Sequence, residues 1–321
     1  MKIMRLVALT TVFSMVHVAA AQAAPVGTLK QYRVPTANSQ PRSIASGSDG
    51  NFWFTESSEF LPAAIGRITP AGAVTEFPVG CGGCILTDIV QGPGGILYYT
   101  SNNAELGRIT AAGVVLAPIP MPNSSVLAGN LASDGTSIWI TDFNNNVVWR
   151  YRIAGGTFTQ YTPPTAGSVP FDVAVDSVGT VWFTEFGNNA IARLNPVSGA
   201  ITEIPTTSPP RGIIVAEDGQ IWFTSRFATP PAVGRLNPAT NTVVEFAVGD
   251  GGPEGIAASL DGSVWFTLNA KGSVARITNS GVITEGKVVK GSDPFGIAVD
   301  SQGDPWYTMM AANKIAEFQL R

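Results

Sequence analysis

Histidine is nearly missing from this chain: among 321 residues only His17 is one. Chemistry that uses imidazole as a base or metal ligand near neutral pH therefore has almost no residue to work with. Charge is scarce too, at 13% of residues, with 19 Lys and Arg against 23 Asp and Glu. No basic patch emerges, which argues against nucleic acid as a partner. There are two cysteines, Cys81 and Cys84, too few for a metal framework and without a thioredoxin-like surround. Beyond residue 20 no uninterrupted apolar run approaches the roughly 20 residues of a membrane span. What the chain has in quantity is glycine (35) and proline (23), beside a hydrophobic content of 45%. That is the composition of strands and turns.

The first residues read as an export signal. Lys2 and Arg5 form a positive start, Leu6 to Ala20 an apolar run, and Ala21-Gln22-Ala23 a small-residue cleavage site. We expect residues 1–23 to be removed and residues 24–321 to form one domain, secreted or periplasmic and free of the membrane. His17 would leave with the signal, and losing Lys2 and Arg5 takes the net charge from −4 to −6. An oxidising compartment favours a local disulfide across Cys81-Gly-Gly-Cys84.

The organising pattern is a repeat. Pro170 to Glu185 (PFDVAVDSVGTVWFTE) returns as Pro41 to Glu56, Pro210 to Ser225, Pro253 to Leu268 and Pro294 to Met309. Two copies have drifted, Leu86 to Ser101 and Ala128 to Asp142. The aromatic slot holds Trp53, Tyr98, Trp139, Trp182, Trp222, Trp265 and Trp306, at spacings of 40 to 45 residues. Seven such units mean a repeat architecture. Each reads as four short antiparallel strands with an apolar face that it cannot bury alone, and stacking seven around an axis makes a β-propeller. The last unit stops one strand short at Arg321, and Thr28 to Val34 has the alternation of the missing strand. The expected fold is all-β, a seven-bladed propeller closed by its N-terminal strand. One large aromatic residue per blade at a fixed position, tryptophan in six of the seven, reads as packing between blades rather than as a sugar platform.

Strand direction brings two columns of residues to one rim. The position after the proline holds Arg42, Thr87, Gly129, Phe171, Arg211, Glu254 and Phe295, and the position three beyond the aromatic holds Glu56, Ser101, Asp142, Glu185, Ser225, Leu268 and Met309. Both columns are expected to face the central channel. Arg42, Phe171, Arg211, Glu254 and Phe295 are the candidate ligand-binding set; the arginines could take a carboxylate through their forked donors or pair with Glu56 and Glu254. Asp88, Asn130, Asp142 and Asp172 could offer oxygens to Mg²⁺ or Ca²⁺. The competing reading is that these side chains cap turns or bond a neighbouring blade's backbone.

Trp53-Phe-Thr-Glu56 followed by Ile65-Gly-Arg-Ile68, and Trp182-Phe-Thr-Glu185 followed by Ile191-Ala-Arg-Leu194, resemble the virginiamycin B lyase (streptogramin B lyase) family of seven-bladed propellers. The resemblance spans the mature chain. It implies opening of a cyclic depsipeptide at its ester by elimination, with Mg²⁺ at the rim, histidines in the slot after the proline and a metal-holding glutamate in Trp-Phe-Thr-Glu. Glu56 and Glu185 match that glutamate and are the candidate catalytic residues. Their upstream partners are Arg42 and Phe171, and neither is a base.

Two functions of different class follow. The favoured one is an exported propeller, expected to be monomeric, that binds a small molecule or peptide at its rim without catalysis. The alternative is a metal-dependent lyase or lactonase-like enzyme working with rim carboxylates.

Overall fold

The computed structural model describes residues 17–19, 22–23, 27–81, 83–123 and 125–320. Its strands form seven sheets, each built on four antiparallel strands, in chain order in the first six. Blade four is representative, with Pro170–Val175 innermost, then Val181–Glu185, Ala190–Leu194 and Ile201–Pro205 outermost. In the seventh blade the order is Pro294–Val299, Pro305–Met309, Lys314–Gln319 and then Thr28–Arg33. The expected closure is therefore present, in antiparallel register from Thr28 opposite Gln319 to Arg33 opposite Lys314.

The export segment expected over 1–23 falls largely outside the described residues. Its described parts, His17–Ala19 and Gln22–Ala23, run parallel to the outer strands of blades five and six. No described helix is long and apolar enough to cross a membrane.

The repeat motif explains itself blade by blade. At the first hairpin Asp176 Oδ1 accepts from the Val178 and Thr180 N–H groups, 3.1 and 2.8 Å away, while its Oδ2 accepts from Trp182 Nε1 at 3.0 Å. One side chain thus shapes the turn and orients the ring that follows. The six tryptophans of the repeat slot are buried to 1% exposure or less and each packs on the next blade: Trp182 meets Ile213, Ile221 and Phe223, and Trp306 of the last blade meets Ile44, Phe52 and Phe54 of the first. Burying such a side chain stabilises by roughly 2–3 kcal/mol, so most of the cohesion runs around the ring. The packing reading of the tryptophans holds.

The Ile-Gly-Arg-Ile strand supplies the other half of each pair. Arg67 lies opposite Trp53 in register and its guanidinium sits 5.5 Å from the ring centre; Arg193 and Trp182 repeat this at 5.8 Å. Gly66 faces Phe54, and a Cβ there would come within 2.0 Å of the phenyl ring. Glycine is needed at that position because the ring lies flat across the neighbouring backbone.

Cys81 and Cys84 are joined in a disulfide, with Cα atoms 5.8 Å apart. It lies in the link between blades one and two, as expected.

Candidate functional site

The geometry of the channel follows from a bulge in the innermost strand of six blades. In blade four Pro170 pairs with Glu185 and Val173 with Phe183, so Phe171 and Asp172 together face only Thr184. The same offset recurs in blades one, two, three, six and seven. A bulge re-aims the side chains beside it, and here it turns the residue after the proline into the channel.

The threonine of Trp-Phe-Thr fills the bulge and ties blade to blade. Thr184 Oγ1 accepts from Asp172 N at 2.9 Å and donates to the carbonyl of Arg211, in the next blade, at 2.8 Å. Thr141 donates likewise to Phe171 O, Thr224 to Glu254 O, Thr267 to Phe295 O and Thr308 to Arg42 O, at 2.6–2.9 Å. The carbonyls of the rim residues are thereby held in place, and their side chains with them.

A cavity of about 390 Å³ runs along the axis, within the usual size range of small-molecule sites. Arg42, Phe171, Glu254 and Phe295 line it near the rim, with Asp88, Asn130 and Asp172 one residue deeper. Below these the wall becomes apolar, with Ile44, Ile89, Leu131, Val173, Ile213, Ile256 and Ile297.

At the mouth Glu254, 4% exposed, receives Arg211 at 2.6 Å and Arg226 at 3.0 Å. Arg211 also lies over Phe171, 4.3 Å from the ring centre, with Phe227 and Phe186 at 5.8 and 6.0 Å. Arg42 stands 4.9 Å from the Phe295 ring. Its Nε is buried without a hydrogen-bond partner, and it forms no ion pair among the described residues. Burial pulls its pKa down, with the charges of Glu254 and Asp88 opposing that pull. Two guanidiniums thus hold Glu254, and that of Arg42 stands on Phe295 without an ion pair among the described residues. Of the alternative in which the two arginines pair with Glu56 and Glu254, the Arg211–Glu254 pair forms and no ion pair of Arg42 with Glu56 does among the described residues.

Beneath the mouth the acids are committed to backbone. Asp88 accepts from Ser43 Oγ and, at 2.7 Å, from Leu131 N in blade three. Asp172 accepts from Val173 N at 2.8 Å and from Ile213 N in blade five at 2.9 Å. Burial, followed by the Asp88 charge, pushes Asp172 up to about 7; burial raises Asp88 as well. Of the four candidate metal ligands, Asp88, Asn130 and Asp172 share the channel, while Asp142 stands apart. Its carboxylate is fully buried within blade three, accepting from Asn145 Nδ2 at 2.8 Å and Trp149 Nε1 at 3.1 Å.

The reason applies to its whole column and corrects the expectation that both columns face the channel. The second strand lies one position outward from the innermost strand, so its rim residues are enclosed by the blade. Glu56 is 3% exposed and Glu185 0%, and neither lines the cavity. Burial and then the nearby Glu76 charge push Glu56 up to about 8. Burial dominates at Glu185 also, which reaches about 7 with Glu203 adding to the rise. Oε1 of each is buried without a partner among the described residues. Glu76 and Glu203, on the outermost strands, are occupied in turn: Thr36 N and Oγ1 bond Glu76 at 2.8 and 2.9 Å, and Thr165 does the same to Glu203 at 2.9 and 2.7 Å.

A divalent ion does not fit these groups well. The channel carboxylates are engaged by protein donors, Asp88 and Asp172 by backbone N–H groups and the Ser43 hydroxyl and Glu254 by two guanidiniums, and the family-matched glutamates do not line the cavity. Asp300, Asp304 and Glu317 also lie close enough together for a metal, yet they too bond protein donors, including Trp306 Nε1, Leu320 N and Tyr32 OH.

Arg226, Phe186 and Phe227 at the mouth escaped the sequence reading. Reading the repeat one and two positions past the Trp-Phe-Thr-Glu slot would have found them, since blades four and five carry Phe186 and Arg226 there, with Phe227 next.

Comparison with known proteins agrees with this architecture. No curated protein matches the chain. Among solved structures, a streptogramin B lyase is similar with a TM-score of 0.83 and 25% identity, covering 92% of this chain and 98% of that one. Virginiamycin B lyase from Staphylococcus aureus matches with a TM-score of 0.83 and 26% identity, over 92% and 99%. A catalytically inactive histidine-to-alanine form of that enzyme, solved with quinupristin, matches equally. The extracellular domain of a hybrid two component system from B. thetaiotaomicron shares the fold at a TM-score of 0.71 and 14% identity, covering 42% of that chain. The sequence pattern of the virginiamycin B lyase family matches residues 17–226 and 119–321. These matches run through every blade, and the chain belongs to the virginiamycin B lyase family.

Proposed function

We propose that this chain is an exported, ligand-binding member of its family that holds a small molecule or peptide at the channel mouth and does not carry out the elimination. The observation that carries the reading is the content of the slots after the proline: Arg42, Phe171, Arg211, Glu254 and Phe295 stand where a base would have to stand. Arginine keeps its proton and phenylalanine has no acceptor. Glu254 is engaged by two guanidiniums. His17, the sole histidine, lies on an outermost strand, opposite Glu245 and far across the blade from the channel.

Metal-assisted elimination or lactone opening by rim carboxylates has less support. Glu56 and Glu185 have pKa values suited to proton transfer but no access to the cavity, and Asp172 uses both oxygens to clamp backbone. Mg²⁺ or Ca²⁺ would need ligands that this wall does not free, so no step is derived through a metal.

The test is incubation of the purified protein with a type B streptogramin and Mg²⁺, following linear product by chromatography. We expect no product above the uncatalysed control, since general-base catalysis typically contributes about 10²- to 10⁴-fold. Turnover comparable to an active lyase, lost in Glu56→Gln or Glu185→Gln, would overturn the reading.

A further inference from the structure

We propose that the ligand held at the channel mouth is a carboxylate carrying an aromatic ring, with Arg42 receiving the carboxylate and the phenylalanines of the rim receiving the ring. This rests on the binding reading above and deepens it.

The first observation is a charge imbalance. Of the three guanidiniums at the mouth, Arg211 and Arg226 share one carboxylate, Glu254, and Arg42 forms no ion pair among the described residues. The acids just beneath are turned to other donors, Asp88 to Ser43 Oγ and Leu131 N and Asp172 to Val173 N and Ile213 N, and neither forms an ion pair with a guanidinium among the described residues. In a protein whose net charge is −4, a mouth with surplus positive charge is a local construction. It calls for an anion.

The second observation is Arg42 itself. Its Nε is buried without a partner, its ring contact with Phe295 holds it at the cavity wall, and the N–H fork of a guanidinium matches a carboxylate in two parallel hydrogen bonds. A buried donor left unbonded is costly, and a ligand that satisfies it recovers that cost on binding.

The third observation is aromatic. Phe171, Phe186 and Phe227 form a continuous series, with ring centres 6.3 and 5.9 Å apart. Phe227 is 56% exposed, unusual for so large an apolar side chain beside a charged cluster. A planar ring on the ligand can join this series in offset or edge-to-face contact.

Titration calorimetry on the purified protein provides the test, with N-acetyl-phenylalanine as the probe. Its amide removes the charge, and N-acetylglycine removes the ring. We expect the acid to bind and each control to bind at least about tenfold more weakly, the scale of one charge-assisted hydrogen bond or one buried ring. Arg42→Gln should weaken the acid by a similar factor while leaving the amide unchanged, and Phe227→Ala should weaken the acid while leaving N-acetylglycine unchanged. An unchanged melting temperature verifies that both variants fold. Equal binding of acid and amide would overturn the role of Arg42, and equal binding of N-acetyl-phenylalanine and N-acetylglycine would overturn the aromatic shelf. Failure of all three probes alongside binding of an intact streptogramin would sink this inference and leave the binding reading standing. Streptogramin turnover would overturn the non-catalytic reading, whatever the three probes show.

Discussion

Glu56 and Glu185 show how far burial can move a carboxyl group, and they make stability depend on pH in an uncommon direction. In the folded protein Glu56 is displaced from 4.5 to about 8 and Glu185 from 4.5 to about 7. The folded state therefore keeps protons that the unfolded chain releases. This contribution to stability is complete below about pH 4.5 and is lost as pH rises through 7 and 8. Each unit of displacement corresponds to about 1.4 kcal/mol. We expect a higher melting temperature at pH 5.5 than at pH 8.5, and Glu56→Gln should raise stability at pH 8.5 and flatten the profile. Thermal unfolding across that range decides it; a variant less stable than the parent at pH 8.5 would mean that Glu56 is charged and paired in the folded protein.

Among the elements, the second strand carries most of the blade's organisation. Its tryptophan packs on the next blade, its phenylalanine lies across the third strand, and its threonine bonds two inner strands at once. Thr184→Val keeps the shape of the side chain and removes the hydroxyl, leaving Arg211 O and Asp172 N without this partner. The expected cost is about 2 kcal/mol, from unsatisfied backbone groups of about 1–3 kcal/mol each with partial relaxation. Thr184→Ser keeps the hydroxyl and should cost less than about 1 kcal/mol. Denaturant unfolding of the two variants checks this, and equal losses would assign the effect to the methyl group. Because the same hydroxyl fixes the bulge at Phe171 and Asp172, Thr184→Val should also weaken whatever binds at the mouth.

For the whole molecule the decisive contact joins an early strand to the last blade. Thr28–Arg33 adds a full ladder to the seventh blade, Tyr32 stacks on Trp306 with ring centres 5.5 Å apart, and its hydroxyl bonds Glu317 at 2.9 Å. Asn313 reaches back to the carbonyls of Val34 and Thr36 at 3.2 and 2.9 Å. Deleting residues 24–36 would expose the edge of Lys314–Gln319 and uncover Trp306, the residue by which blade seven packs on blade one. A ring opened at one joint loses packing on both sides of it. We therefore expect the truncated protein to lose its cooperative thermal transition or melt far lower. An unchanged melting temperature would show that the ring does not depend on this strand.

Much of this could be read from residue order because the repeat encodes it locally. A period of 40 to 45 residues with an aromatic residue in each unit leaves every sheet with a face to bury, and a ring of seven buries them all. The missing last strand and the matching pattern at Thr28 follow from counting. The site was less legible. Both rim columns reach the same face of the disc, but only strand order across the blade and the bulge in the innermost strand decide which one meets the channel, so Asp142, Glu56 and Glu185 lie enclosed while Arg42 and Phe171 do not. The fate of Asp88 and Asp172 was equally hidden, because the N–H groups they bond belong to Leu131 and Ile213 in neighbouring blades. The free fork of Arg42 exists because Glu254, from a blade more than 200 residues away in sequence, is already held by Arg211 and Arg226. Such pairings depend on distances across the ring, and ring closure alone sets them.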